Sequence, residues 1–495
     1  MDNNINQRVG KATAWSSVTE LMARLISPLV NIVLARLLLP EAFGVVATIT
    51  MVISFAEVFT DAGFQKYIIQ HEFKDEDELN RSTNVAFWTN LSISALACVV
   101  IFFFRNSIAE LIGDSGLGMS ISVASLLIVF HAFSSIQMAR YKRELDFKTL
   151  FFVRIGTSLI PLVVTIPLAV LLRNYWALLI GNFASQLFSA VILTAKAKWK
   201  IKFYYKWSLF KEMFSFSAWT LLESISIWLT TNVDIFIISK FLSDYYLGLY
   251  KTSMTTITSY MGLVTAAIIP VLFTVLSRHQ NNETEFQSAY YTFQRLTSVL
   301  VVPMGVGIFL FSDFVTAVLL GENWMEASGF IGWWGLTSAL TIIFSHFASE
   351  VIRSKGKPVI SFLIQVSHMI VLIPVLLLFK DAGFKTLYVA RSLLRFEIIF
   401  IALGVLCFVF KFKLSKILSN IFPACLSALI MGAVGFVLLQ INDAFLWQCM
   451  WILVCIIVYF AFLFVCFPRL RRELLELSFV RKFMEKVKKI MRVQS

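Results

Sequence analysis

Fourteen apolar runs, each of about the twenty residues that a bilayer-spanning helix needs, leave this chain few folds to choose from. They lie at 15–38, 42–64, 85–104, 117–138, 150–172, 175–194, 214–238 and 246–276, then at 296–311, 327–351, 359–379, 384–410, 417–439 and 444–467. The joints between them are short, and none is polar and long enough to make a soluble domain. The expected class is therefore an all-α polytopic membrane protein with about fourteen transmembrane helices. Supply agrees with pattern: only 15% of residues are charged, against roughly 25% in a soluble domain. The 48 Phe and 12 Trp suit lipid-facing and interfacial positions.

A formal charge of +13 could point to nucleic acid. The basic residues, however, sit in short joints between apolar runs, where membrane topology accounts for them. With the N-terminus inside, the inner joints carry Lys66, Lys74 and Arg81, then Arg140, Lys142, Arg143 and Lys148, and later Arg353, Lys355 and Lys357. The outer joints hold only Arg105, Arg173, Lys240, Lys380 and Lys385. Counting Lys and Arg in this way places both termini in the cytoplasm. The N-terminal run is long and carries charges, so it is expected to remain as a helix rather than be cleaved. The six cysteines lie in apolar spans without metal-ligand spacing and count as small hydrophobes; no cofactor or metal is expected.

The chain also repeats itself. A gapless shift of 204 residues sets Ala14-Trp15 on Ala218-Trp219, Leu38 on Leu242 and Gly44 on Gly248. Repeated helical units in a very apolar chain are common in transporters, with the substrate site between halves. The expected organisation is an N-terminal six-helix lobe (1–195), a cytoplasmic joint (196–213) and a second six-helix lobe (214–410). Two further helices (411–467) and a basic amphipathic tail (468–495) follow. In the tail, Leu470, Leu474, Leu477, Phe483, Val487 and Ile490 form an apolar stripe among Lys and Arg, suited to the anionic inner leaflet.

Ionisable groups inside spans cost about 2.5–3.5 kcal/mol each on insertion scales, so each needs a reason. Glu20 and Arg24 are four apart on one helix face. They either neutralise one another locally, or Arg24 reaches into a watery cavity where a guanidinium can grip phosphate. Lys251 is a second candidate phosphate contact. Arg391 and Arg395 are one turn apart on the twelfth run, and such a pair repels unless an anion or carboxylate lies close. Among the acids, Glu57 and Asp61 are four apart, and Glu223 and Asp234 are eleven apart on one face. These four are candidates for binding a coupling ion. Helix-end placement explains Asp61 as well. His131, His346 and His368 are expected to be hydrogen-bonded core residues. Asp75-Glu76-Asp77 matches a loose glycosyltransferase DxD, but its charged loop suits a solvated segment better. No HExxH, GxSxG or Walker A motif is present, so no enzyme activity is expected.

Several short stretches carry a family resemblance. They are Leu34-Ala35-Arg36-Leu37-Leu38-Leu39-Pro40-Glu41-Ala42-Phe43-Gly44 and Asp61-Ala62-Gly63-Phe64 followed by Ile68-Ile69-Gln70. Arg143-Glu144-Leu145-Asp146-Phe147 and Leu320-Gly321-Glu322-Asn323-Trp324 complete the set. With them the chain resembles the Wzx-type polysaccharide flippases, in the lipopolysaccharide and teichuronic acid exporter branch of the MOP exporter superfamily. That branch often has Leu-Gly-Pro where this chain has Leu38-Leu39-Pro40. The resemblance implies two six-helix bundles working by alternating access on sugar repeat units carried by undecaprenyl diphosphate. It also implies cavity cations, with Arg24 near the first-helix arginine of the related lipid II flippases. Expected partners are the lipid-linked oligosaccharide, membrane lipids, and a polysaccharide polymerase and glycosyltransferases; nucleic acid is not among them. Two other classes remain open at this point. A drug/ion antiporter of the same superfamily would want an acid-dominated cavity, and a polymerase or ligase would want a large outer loop.

Overall fold

The computed structural model describes residues 2–61, 63–197 and 199–476. Side chains at 2–14, 17, 21, 61, 215–220, 222–223, 267 and 476 lie outside that description. The described chain is helical from end to end. In the first half the long helices are α1 Asp2–Leu37, α2 Pro40–Asp61, α3 Glu76–Leu111, α4 Ser115–Arg143, α5 Phe147–Leu172, α6 Trp176–Ala195 and α7 Trp207–Phe241. The second half holds α8 Asp244–Arg278, α9 Glu283–Leu310, α10 Glu322–Ser354, α11 Pro358–Phe379, α12 Phe384–Val409, α13 Leu414–Ile441 and α14 Phe445–Cys466. Among the described residues, twelve of these are long and apolar enough to cross a bilayer. The bent α8 makes a thirteenth. With α7, each of the fourteen apolar runs has its helix, and the expected polytopic all-α class is the observed one.

Helix ends follow local chemistry. Pro40 opens α2, where a missing N–H costs nothing. The helix expected from residue 85 begins at Glu76 instead, because Asp75 Oδ1 accepts the Glu78 amide at 2.7 Å while Glu78 Oε2 accepts the Lys74 amide at 2.7 Å. The acidic cluster with the DxD pattern is thus a helix N-cap that resembles a capping box, with Glu78 reaching the amide one residue before the cap. Helix α8 bends by 46° between Ala266 and Ile268; Pro270 lies four residues beyond Ala266, so its ring presses on that carbonyl and removes one ladder bond.

Two compact units emerge. The first comprises residues 1–259, 319–326 and 369–390, and the second 260–318, 327–368 and 391–495. In the first, α1 packs on α5, α4 on α3 and α6, and α2 on α3 and α7. Gly44 and Gly248, equivalent in the repeat, meet there reciprocally. A side-chain carbon on Gly44 would collide with the Asp244 carbonyl, and one on Gly248 with the Pro40 carbonyl. In the second unit, α9 packs on α10 and α13, and α13 on α14. Its core holds Phe286, Tyr290, Phe347 and Phe412 in edge contacts. Outward faces stay apolar, with Phe103 76%, Leu171 77% and Phe408 88% exposed, as lipid-facing surfaces require.

The joint between α6 and α7 is pinned. Trp199 is buried and donates to Gln137 Oε1 at 2.7 Å, Trp88 donates to the Lys202 carbonyl at 2.9 Å, and the Lys202 amide donates to Asn84 at 2.7 Å. Nearby, the Tyr67 hydroxyl donates to Glu212 at 2.9 Å. Burial, reinforced by that carboxylate, pushes the phenol above its usual range. A short helix, Pro468–Glu476, opens the C-terminal tail. Leu470 is buried and Glu473 pairs with Arg295 at 2.6 Å. The rest of the expected amphipathic stripe lies outside the described residues.

Candidate functional site

Among the described residues each unit carries a prominent polar feature where lipid-buried helices should be apolar. In the first unit it is a cavity of about 850 Å³ lined by α1, α2, α4, α5 and α6. Glu20 of α1 and Glu57 of α2 face it, as do Lys142 of α4 and Arg154 of α5. So does His131, whose buried Nδ1 has no partner among the described residues; the expected hydrogen-bonded core role does not hold for that nitrogen. Arg24 Nε donates to Glu20 Oε1 at 2.7 Å, with both side chains substantially exposed at 38% and 56%. The local pair foreseen from their spacing forms, and it brings Arg24 to a carboxylate on the cavity wall.

Asp234 of α7 is buried. Its Oδ2 accepts the Tyr250 hydroxyl at 2.8 Å and its Oδ1 the Ile235 amide at 2.8 Å. Lys251 of α8 is half-buried and lies within electrostatic reach of Asp234, so these two form one local group. The side chains of Asp61 and Glu223 lie outside the described residues.

In the second unit, Arg391 and Arg395 of α12 come together over one indole. Their guanidinium carbons lie 5.2 Å and 4.0 Å from the Trp334 ring centroid, within cation–π range. Arg391 is buried, and Arg395 donates to Ser338 Oγ at 2.6 Å. Close by, His368 Nδ1 and Glu397 Oε2 are 2.8 Å apart, with the two arginines in electrostatic reach of the imidazole. The indole face supplies a partner that such a pair needs, while Glu397 pairs with His368 beside it. Trp334 and Ser338 sit on another helix in an aromatic-rich run, where spacing along α12 gives no hint of them.

The quoted motifs turn out to do structural work. Arg143 donates to the carbonyls of Ile68, Ile69 and His71 at 2.9, 3.2 and 2.7 Å, ending the short helix Phe64–Gln70. Asp146 caps α5 through the Thr149 amide at 3.1 Å. Trp324 is fully buried; it donates to the Ala35 carbonyl at 2.7 Å and meets the edge of Phe43.

A polytopic helical membrane protein with internal polar features is the class these observations define. The fold matches that of the lipid II flippase MurJ with a TM-score of 0.75 at 16% identity, over 92% of this chain and 99% of that one. Residues 33–329 match the family described as "Polysaccharide biosynthesis protein", and the chain belongs to that family. Among curated relatives, an uncharacterized membrane protein in the cps region of Klebsiella pneumoniae is 22% identical over 74% of this chain and 75% of its own length. The succinoglycan biosynthesis transport protein ExoT of Rhizobium meliloti is 24% identical over 64% of this chain and 63% of its own length.

Proposed function

We propose that the protein is a flippase that carries oligosaccharide repeat units on undecaprenyl diphosphate across the bacterial cytoplasmic membrane, for surface polysaccharide biosynthesis. The observation that carries this reading is the Arg391–Arg395 pair, held over Trp334 inside a membrane helix. Two guanidinium groups in a low-dielectric setting are costly to keep there. They become useful when a diphosphate must shed its water, since Arg binds phosphate through paired, charge-assisted hydrogen bonds. Lys251 and Arg24 serve as further cationic contacts. Glu57, Asp61, Glu223 and Asp234 are the candidates for the coupling ion that makes transport directional. The chain supplies passage, by alternating access, and no bond chemistry. Polymerase and glycosyltransferases act before and after it, and both termini face the cytoplasm.

The test is flipping in proteoliposomes loaded with the lipid-linked oligosaccharide. Losing a buried charge contact costs about 2–5 kcal/mol. Arg391→Ala with Arg395→Ala should therefore lower flux at least ~30-fold, about 2 kcal/mol, while the protein still inserts normally. Wild-type flux in that double variant, or preferential flux of an organic cation by the wild type, overturns the proposal.

A further inference from the structure

The cavity of the first unit has a wall chemistry of its own. Apart from Thr194 near its end, the polar side chains of helix α6 form a row at i, i+3, i+4 and i+7, Asn182, Ser185, Gln186 and Ser189, and all four line the cavity. Helix α5 repeats the device with Arg154, Thr157 and Ser158 on its cavity side. Polar rows in lipid-embedded helices persist where they meet water or a polar ligand. Here they converge from separate helices on one space. Among the described residues the charged groups lining it balance, Glu20 and Glu57 against Lys142 and Arg154, and Arg24 pairs with Glu20 from outside the lining. An organic cation would call for an excess of acid and a free anion for an excess of base.

Balanced charge with hydroxyl and amide side chains suits a neutral, polyhydroxylated ligand. Amide groups both donate and accept, so each can meet a sugar hydroxyl in either sense. Several wall hydroxyls already donate to their own helix, Thr19 to the Trp15 carbonyl at 2.6 Å and Thr157 to the Arg154 carbonyl at 2.8 Å. They therefore present acceptor lone pairs to the space. The volume of about 850 Å³ falls in the roughly 300–1,000 Å³ range of small-ligand sites.

We infer that this cavity is a saccharide subsite, which recognises sugar rings of the cargo through the hydroxyl and amide rows of α5 and α6. The inference rests on the flippase reading and adds to it a recognition element separate from the arginine pair.

Binding to the full-length protein in nanodiscs tests it, with two probes. One is the lipid-linked oligosaccharide pool extracted from the producing cells, and the other is undecaprenyl diphosphate without sugar. Asn182→Leu with Gln186→Leu removes both amides of α6 at similar volume and leaves Asn31 of α1 in the wall. It should weaken the oligosaccharide probe at least ~10-fold, as for loss of more than one hydrogen bond, and leave the sugar-free lipid unchanged. Ser185→Trp fills the space without deleting an amide and should give the same split, which guards against a folding defect in the first variant. Equal weakening of both probes, or of neither, overturns the subsite, as does a cavity that holds only water in the loaded complex. Arg391→Ala with Arg395→Ala should weaken both probes; if it weakens neither, the flippase reading fails independently of this one.

Discussion

At the scale of single residues, spacing along one helix was informative and neighbours from other helices were not. The four-residue step from Arg391 to Arg395 marks a costly pair in the sequence itself. Trp334, which holds the pair, lies in a run already rich in aromatics, where any one of them could face lipid. The polar row of α6 recurs at helical period but went unread, because uncharged polar residues stand out less than charges do. Gly44 and Gly248 were legible as equivalents and not as partners, because a sequence repeat says nothing of where its copies meet. Their contact makes a sharp prediction. Gly44→Ala and Gly248→Ala each force a methyl group against a backbone carbonyl, and such overpacking costs about 1–3 kcal/mol. Both clashes open the same contact, so the double variant should be less destabilised than the sum of the singles, by more than about 0.5 kcal/mol. Thermal unfolding in detergent reads this directly, and strict additivity would show that the two turns do not bear on one another.

At the scale of elements, helix existence followed from apolar length, and helix ends did not. Residues 76–84 are too polar to read as membrane, yet they extend α3 because the Asp75 N-cap starts it early. The Arg143 and Trp324 motifs explain the resemblance at this level: they tie helix ends to one another and touch no candidate cargo group. The joint between α6 and α7 shows the same economy. Trp199 fills the space beside Phe87, their ring centroids 6.2 Å apart, and satisfies Gln137. Trp199→Ala should cost about 3–5 kcal/mol, the usual price of deleting a large buried aromatic. It should also loosen the backbone around Lys200 and Lys202, whose side chains are already exposed, so that trypsin cuts faster between α6 and α7 than in the wild type. An unchanged digestion pattern would mean that the Asn84 and Trp88 bonds hold the joint without it.

At the scale of the whole molecule, the remaining question is which side of the bilayer each joint faces, and contacts within each unit bear on it. In the first unit, Arg143 of the α4–α5 joint binds carbonyls of the α2–α3 joint, so these two basic joints share a side. The sparse joints pair likewise. Gly113 lies against the backbone of Ser239 and Lys240, and the Lys380 ammonium sits 4.2 Å from the centre of the Phe241 ring. In the second unit, Lys355 of the α10–α11 joint pairs with Glu283 at the start of α9 at 2.5 Å. Basic joints thus meet basic joints and sparse joints meet sparse ones, as strict alternation along fourteen spans demands. Because joints rich in Lys and Arg are retained in the cytoplasm, alkaline phosphatase fused after Gly113 or Asp381 should be active. Fusions after Glu144 or Lys355 should be silent. The reverse pattern would turn the protein over in the membrane and place the Arg143 and Lys355 anchors outside. It would also send the proposed cargo toward the compartment where its sugars are assembled, so the direction of transport and the topology stand or fall together.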